Sequence, residues 1–207
     1  MTKPIGVILA GGRSQRLHGE DKGLILINKA PMISFAITRL KPQVSEIIIS
    51  ANRNQEAYKQ FGYQVVSDVI DNFHGPLSGL LSAMDALLSE GKMKMAQSSI
   101  FLTACDMPDL PTDFIDRISM YSASSSQQQP SIYIANDGVR RQPLCSYIPL
   151  SLRDDLAAWL SQGNRKVEDW FSRLQPIDID YSSTPDAFVN LNTDADIKRF
   201  ESRLNPD

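Results

Sequence analysis

Apolar positions along the chain change period several times, and each change marks an element. Ile5 to Leu9 is a continuous apolar run stopped by Ala10-Gly11-Gly12, the pattern of a strand buried on both faces that ends in a tight loop. Pro31 then opens a stretch with Met32, Ala36 and Leu40 on one helical face and Ile33 and Ile37 beside them, and Pro42 closes it. Ile47-Ile48-Ile49 reads as a second core strand. A polar helix follows through Glu56, Tyr58 and Lys59, and Tyr63 to Ser67 gives a third short strand ending at Asp68. Leu77, Leu81, Met84 and Leu88, with Leu80 and Leu87 alongside, form a stripe at helical spacing just after Gly75-Pro76. Ile100 to Ala104 is a fourth buried strand, ending at Cys105-Asp106. Strand and helix alternate three times, which predicts βαβ units wound right-handedly into a three-layer α/β/α fold with a mostly parallel sheet.

Past residue 120 the pattern changes. Ser122 to Pro130, dominated by Ser and Gln, has no periodicity and reads as a surface loop rather than a domain linker, because a strand pattern resumes at once. Ile132 to Ala135 and Leu144 to Ile148 flank Asn136-Asp137-Gly138, which suggests a hairpin or paired strands. Ser151 with Asp154 resembles a capping box, opening a helix that turns Leu152, Leu156, Trp159 and Leu160 inward and ends at Gly163. Thr193 with Asp196 repeats that signal for a last helix through Ile197, Phe200 and Leu204. Asp194 and Asp196 then read most simply as charges at a helix N-terminus.

Composition narrows the function classes. At 207 residues, 42% of them hydrophobic, the chain is sized for one domain with a real core. A formal charge of -3 offers no positive excess to attract a polyphosphate backbone, so nucleic-acid binding is not expected. Cys105 and Cys145 show neither a CxxC pair nor a regular spacing, which indicates buried thiols rather than disulfides or structural zinc. The first apolar run is too short for a signal peptide or a membrane span, and the expectation is a cytoplasmic protein with no membrane contact.

The chemistry concentrates in Leu9-Ala10-Gly11-Gly12-Arg13-Ser14-Gln15-Arg16, followed by Asp21-Lys22, directly after the first strand. Adjacent glycines let backbone N–H groups approach a ligand, and such amides bind phosphate oxygens. Arg16 and Lys22 add two positive charges, as transfer of a nucleotidyl group with loss of pyrophosphate requires. The pattern is neither a Walker loop nor a GxGxxG fingerprint. Asp106, at the end of a buried strand and followed by Pro108, is placed where α/β folds gather ligands, and a carboxylate there can hold Mg²⁺; a strand-end Asp can equally cap the following turn.

LAGGxSxR followed by DK resembles the signature of the nucleotidyltransferases with a glycosyltransferase-A-like, Rossmann-like fold. Over essentially its full length the chain is similar to the molybdenum cofactor guanylyltransferase family. The supporting segments are Ser50-Ala51-Asn52-Arg53, Asp68, Gly75-Pro76-Leu77-Ser78-Gly79, Cys105-Asp106-Met107-Pro108, Gln142-Pro143-Leu144, Arg165-Lys166-Val167 and Phe188 to Thr193.

The resemblance implies one domain over 1–207, in which about 1–110 binds nucleotide and about 130–207 contributes the acceptor pocket. It implies transfer of GMP from GTP to the terminal phosphate of molybdopterin, with Arg16, Lys22 and Asp106 catalytic and Asp106 the magnesium aspartate. GTP contacts are expected from Leu9, Ala10, Gly11, Gly12, Lys22, Ser50, Asn52, Asp68, Gly79 and Asp106. Molybdopterin contacts are expected from Arg165, Lys166, Asn190 and Asn192, whose types also suit solvated charges and a turn before a helix. Transient contacts with other cofactor-biosynthesis proteins and with acceptor molybdoenzymes belong to the same expectation.

Three points stay open at this level. Relatives carry Asn at the position of Ser50, so either Ser50 or Asn52 makes the nucleotide contact, and Asn52 also suits an ordinary turn. Gly79 serves either a close ligand or helix packing. Leu17-His18 replaces a usual Met-Gly, and Asn28-Lys29-Ala30 replaces a more glycine-rich turn. Rival activities are cytidylyl transfer to the same cofactor, nucleotidyl transfer to a sugar phosphate, and a non-catalytic GTP-binding cofactor carrier.

Overall fold

The computed structural model describes residues 2–10, 20–68, 75–89, 98–124 and 131–205. Gly11, Gly12 and Arg16 of the glycine motif, and both histidines, His18 and His74, lie outside the described residues.

The predicted alternation is present. Strand β1 (Ile5–Leu9), a two-residue pair β2 (Leu26–Ile27) and β3 (Ala30–Pro31), helix α1 (Met32–Leu40), β4 (Glu46–Ser50), α2 (Gln55–Lys59), β5 (Gln64–Val66), α3 (Pro76–Ser89) and β6 (Ser99–Ala104) make the first half. The second half contains α4 (Phe114–Ser124), β7 (Tyr133–Asn136), β8 (Arg141–Pro149), α5 (Arg153–Ser161), α6 (Val167–Arg173), β9 (Ile177–Asp180) and α7 (Asp194–Leu204). Seven strands form one sheet in the order β5-β4-β1-β6-β8-β7-β9. Its first four strands run parallel, β8 runs against its neighbours β6 and β7, and β7 and β9 are parallel. The uniformly apolar sequences of β1, β4 and β6 follow from this position: Val7, Ile8, Ile48, Ile49, Phe101 and Leu102 are fully buried because helices cover both faces of the central strands.

One layer joins Ile8, Ile47, Ile49 and Phe101 to Ile33 and Leu40 of α1, Tyr58 of α2, and Phe114 and Ile118 of α4. The opposite layer joins Val7, Ile48, Ile100 and Leu102 to Leu80 and Met84 of α3, Leu156 and Leu160 of α5, and Trp170 and Phe171 of α6. Trp170 is buried at no polar loss, since its indole N–H donates to Asp155 Oδ1 at 2.9 Å. A third, smaller cluster governs the site. Leu191, Ile197 and Phe200 of the C-terminal segment pack against Ile27 and Met32, and the rings of Phe35 and Phe200 meet edge to face with centroids 5.3 Å apart. This cluster carries residues 190–193 back across the N-terminal half.

Several expectations change. Thr193 and Asp196 do form a capping box for α7. Ser151 does not cap α5; residues Leu150–Leu152 form a 3-10 turn, and Asp154 pairs instead with Arg153. Ser122 to Ser124 are the last residues of α4 rather than loop, because the apolar face of Phe114, Ile115 and Ile118 carries the helix through them; residues 125–130 lie outside the described part. Ile197 and Phe200 of the last helix are buried, whereas Leu204 at the end of α7 is 42% exposed. The Asn28-Lys29 turn keeps its hairpin geometry without glycine: the two residues take φ of 47° and 69° between paired Ile27 and Ala30.

Positive φ at Lys29 costs an L-residue about 1 kcal/mol. Lys29→Gly is therefore expected to raise the urea unfolding free energy by about 0.5–1 kcal/mol, less the greater freedom glycine has in the unfolded chain. An unchanged or lower midpoint would show that the turn is unstrained.

Candidate active site

The parallel strands β1, β4, β5 and β6 end on one side of the sheet, and the chain that follows each supplies a candidate residue. Backbone bonds tie these exits together: Ala10 N–H donates to Ser50 O at 2.8 Å, Ala51 N–H to Val66 O at 2.8 Å, and Cys105 N–H to Leu9 O at 3.0 Å. The rim is therefore stiff before any ligand arrives.

Lys22 begins a 3-10 turn, Lys22–Leu24, and its ammonium is the centre of the site. Lys22 Nζ donates to Asp106 Oδ2, and to Asn192 Oδ1 at 2.6 Å. The Lys22 and Asp106 side chains are only 12% and 16% exposed. Charges so far removed from water need partners, and this cation has a carboxylate from the end of β6 and an amide from the segment before α7. The main chain closes the same junction, since Leu191 N–H donates to Asp106 O at 3.0 Å. Asp106 thus holds a residue of the C-terminal half with its carbonyl and Lys22 with its carboxylate. Thr193 and Asp196 fix that segment further: Asp196 Oδ2 accepts from the backbone of Asn192 at 3.1 Å and of Thr193 at 2.9 Å.

Two buried oxygens in this neighbourhood have no hydrogen-bond partner among the described residues, Asp106 Oδ1 and Asn190 Oδ1. A buried unpaired acceptor is costly in a protein that does nothing with it. Asp106 Oδ1 suits a cation, and Asn190 Oδ1 suits an N–H donor of a ligand. Among the described residues no group of three or more His, Cys, Asp or Glu is arranged to hold a metal ion. A single carboxylate fits Mg²⁺ that takes its remaining oxygens from substrate phosphates and water.

Ser50, Gly79 and Asn52 differ in burial. Ser50 is 4% exposed, and a Cβ added to Gly79 would lie 2.6 Å from Ser50 Oγ and 3.0 Å from Leu9 Cδ2. Gly79 therefore lets α3 lie close against β1 and β4, and Ser50 faces that helix. Asn52 is exposed and joined to Asp68 twice: Asn52 Nδ2 donates to Asp68 Oδ2 at 2.8 Å, and Asp68 N–H donates to Asn52 Oδ1 at 2.7 Å. Of the pair Ser50 and Asn52, it is Asn52 that is presented outward, together with Asp68. Arg165 is turned toward the end of α5, donating to Leu160 O at 3.0 Å and Asn164 O at 2.6 Å, and neither bond reaches the Lys22 cluster. Lys166 is exposed at the start of α6.

Sequence reasoning quoted Asp21 with Lys22 in the motif but missed its two partners, Tyr58 and Asn54. Asp21 accepts from Tyr58 OH through Oδ1 and from Asn54 Nδ2 through Oδ2, the latter at 3.0 Å. The one local sign of this arrangement is an aromatic ring in the short polar helix α2. Burial also pushes the hydroxyl of Tyr58 far above the usual tyrosine value, so it stays a neutral donor. Burial does the same for the Cys105 thiol beside Asp106, and both cysteines are free and buried, as expected.

A mostly parallel sheet with an acid–base pair at its strand ends, in a chain whose sequence carries a glycine motif after β1, suits a nucleotidyltransferase. Residues 6–177 match the family described as MobA-like NTP transferase domain, and the chain belongs to it. Proteins named molybdenum cofactor guanylyltransferase from Shewanella loihica and Shewanella amazonensis are 40% and 38% identical to it. The first comparison covers 90% of each chain, the second 96% of this chain and 95% of the relative. The fold is shared with the molybdopterin-guanine dinucleotide biosynthesis protein A of Archaeoglobus fulgidus (TM-score 0.71, 20% identity, 97% of this chain and 98% of that one). It is shared equally with 4-diphosphocytidyl-2C-methyl-D-erythritol synthase (TM-score 0.70, 12% identity, 99% and 100%).

Gly79→Ala is expected to lose about 1–3 kcal/mol of stability through the clash with Ser50 and Leu9. Adding Ser50→Ala should recover part of that loss in urea titrations. Additive losses in the double variant would mean that Gly79 and Ser50 do not meet.

Proposed function

We propose that the chain transfers GMP from GTP to the terminal phosphate of molybdopterin, releasing pyrophosphate and forming the guanine dinucleotide cofactor. The observation that carries the reading is the Lys22–Asp106 pair at the strand ends, in a chain of the MobA-like family. The relatives' names supply the base and the acceptor.

In this reading an oxygen of the molybdopterin phosphate attacks the α-phosphorus of GTP in line, one P–O bond forms as another breaks, and pyrophosphate leaves. The attacking phosphate is already ionised near neutral pH, so no side chain has to remove a proton. What remains for the protein is positioning and charge. In this reading Lys22 and Arg16 each give positive charge to the phosphates, and the amides of Leu9 to Gly12 donate to them. Asp106 would hold Mg²⁺ through the oxygen that lacks a partner among the described residues; bound there, the metal supplies charge that neutralises the leaving pyrophosphate. Asn52 and Asp68 form the polar edge for the nucleoside, while Ser50 and Gly79 act through packing. On the acceptor side Asn190 Oδ1 meets a donor of the pterin, and Asn192, Arg165 and Lys166 serve its polar and phosphate groups.

We place this reaction in the cytoplasm, where free thiols such as Cys105 and Cys145 persist. No helix among the described residues is long and apolar enough to cross a membrane. Brief contacts with the proteins that deliver molybdopterin and receive the dinucleotide belong to the same proposal.

Incubation with molybdopterin and GTP, CTP, ATP or UTP should release pyrophosphate with GTP alone, in a Mg²⁺-dependent manner. Asp106→Ala and Lys22→Ala should each lower the rate roughly 100-fold or more, since each removes charge stabilisation of the transition state. Turnover with CTP in place of GTP would assign cytidylyl transfer, and GTP binding without turnover would assign a carrier; either outcome overturns the proposal.

A further inference from the structure

We infer that Tyr58 is a positioning residue for Lys22, acting through Asp21, and that Asn54 supports it. The inference deepens the reading of Lys22 as the cation for the nucleotide phosphates and rests on that reading.

Tyr58 belongs to α2, which follows β4, and so reaches the site from a different βαβ unit than the one carrying the glycine motif. It is wholly buried, although the helix that carries it has only five residues. Its hydroxyl donates to Asp21 Oδ1 and lies 3.5 Å from Ala10 O. Ala10 and Asp21 stand on either side of residues 11–20 in the sequence, so one phenol touches the residue before the glycine motif and the residue before Lys22. The contact is close on the far side as well: a Cβ at Gly23 would lie 2.5 Å from the Tyr58 hydroxyl oxygen. Asp21 and Gly23 therefore both abut the hydroxyl, and Lys22 is the residue between them.

Asn54 adds the second restraint. It holds a left-handed conformation, φ 49°, ahead of α2, where Asn is better tolerated than most residues, and its Nδ2 reaches Asp21 Oδ2. Both oxygens of Asp21 are thus engaged by donors from one short segment, residues 54–58. With its backbone pinned on both sides, Lys22 extends to Asp106 and Asn192 with less conformational freedom to lose. Among the described residues, none of the hydrogen bonds made by Tyr58 or Asn54 goes to Asp106, Asn192 or any residue of the acceptor half, so their effect on the reaction runs through Asp21 and the turn that carries Lys22.

The test compares Tyr58→Phe, Asn54→Gly, Lys22→Ala and the double variant Tyr58→Phe with Lys22→Ala. The readouts are Mg²⁺-dependent GMP transfer with separate KM values for GTP and molybdopterin, together with urea unfolding. Tyr58→Phe keeps the ring and deletes the hydroxyl, and Asn54→Gly keeps the left-handed backbone and deletes the amide. Tyr58→Phe should lower kcat/KM for GTP about tenfold with KM for molybdopterin unchanged, Asn54→Gly should lower it less, and both should remain folded at the assay temperature. In the Lys22→Ala background Tyr58→Phe should change the residual rate less than twofold, because the residue it positions is gone. A Tyr58→Phe enzyme with wild-type kcat/KM, or an equal tenfold loss in the Lys22→Ala background, overturns the inference. If Lys22→Ala itself retains full activity, it is the reading of Lys22 that fails.

Discussion

Lys22 stands between Asp106 and Asn192, which lie 84 and 170 residues further along the chain, and the rest of the site is organised around that junction. A nearly buried ammonium is tolerable only where acceptors are already in place, so the fold has to deliver two of them from distant elements. The end of β6 delivers the carboxylate because β6 pairs with β1, whose exit leads toward Lys22. The amide arrives because α7 packs its Ile197 and Phe200 on Ile27 and Met32, next to the turn that carries Lys22. The small third cluster, peripheral to both main layers, is therefore what brings the segment of Asn192 to Lys22.

This arrangement suits a reaction that asks for charge rather than for acid–base chemistry. Phosphate transfer from an ionised nucleophile leaves the protein to orient two anions and to neutralise the one that departs. Donors that are fixed before the substrate arrives need not reorganise during the reaction. The backbone bonds among the exits of β1, β4, β5 and β6, the bond from Leu191 to Asp106, and the capping box of Thr193 and Asp196 all spend their geometry on that rigidity. The oxygens of Asp106 and Asn190 that have no partner among the described residues are the exceptions.

Much of the first half was legible in the sequence because its signals are local. The apolar runs of β1, β4 and β6 and the stripe of α3 each report burial over a few consecutive residues, and Asp106 and Lys22 follow them at fixed distances. The helix α4 and the edge strand β9 escaped notice. The first opens after a proline-rich turn and runs into a Ser-rich tract, and the second has one buried position, Ile179, with a half-buried Ile177 before it. The choice between Ser50 and Asn52 was out of reach because neighbouring strand-end residues of similar polarity differ only in which way they face. The contact between Tyr58 and Asp21 was invisible for a deeper reason: nothing in a five-residue polar helix says that its one ring meets a carboxylate 37 residues upstream.

In the proposed reaction the Lys22–Asp106 junction is where nucleotide phosphates and Mg²⁺ meet the protein. A crystal structure with Mg²⁺ and the α,β-methylene analogue of GTP tests it most directly. The account predicts a metal on Asp106, phosphate oxygens within hydrogen-bonding distance of Lys22 Nζ, and the base on the side of Asn52 and Asp68. A nucleotide bound elsewhere, with Lys22 still held between Asp106 and Asn192, would contradict it.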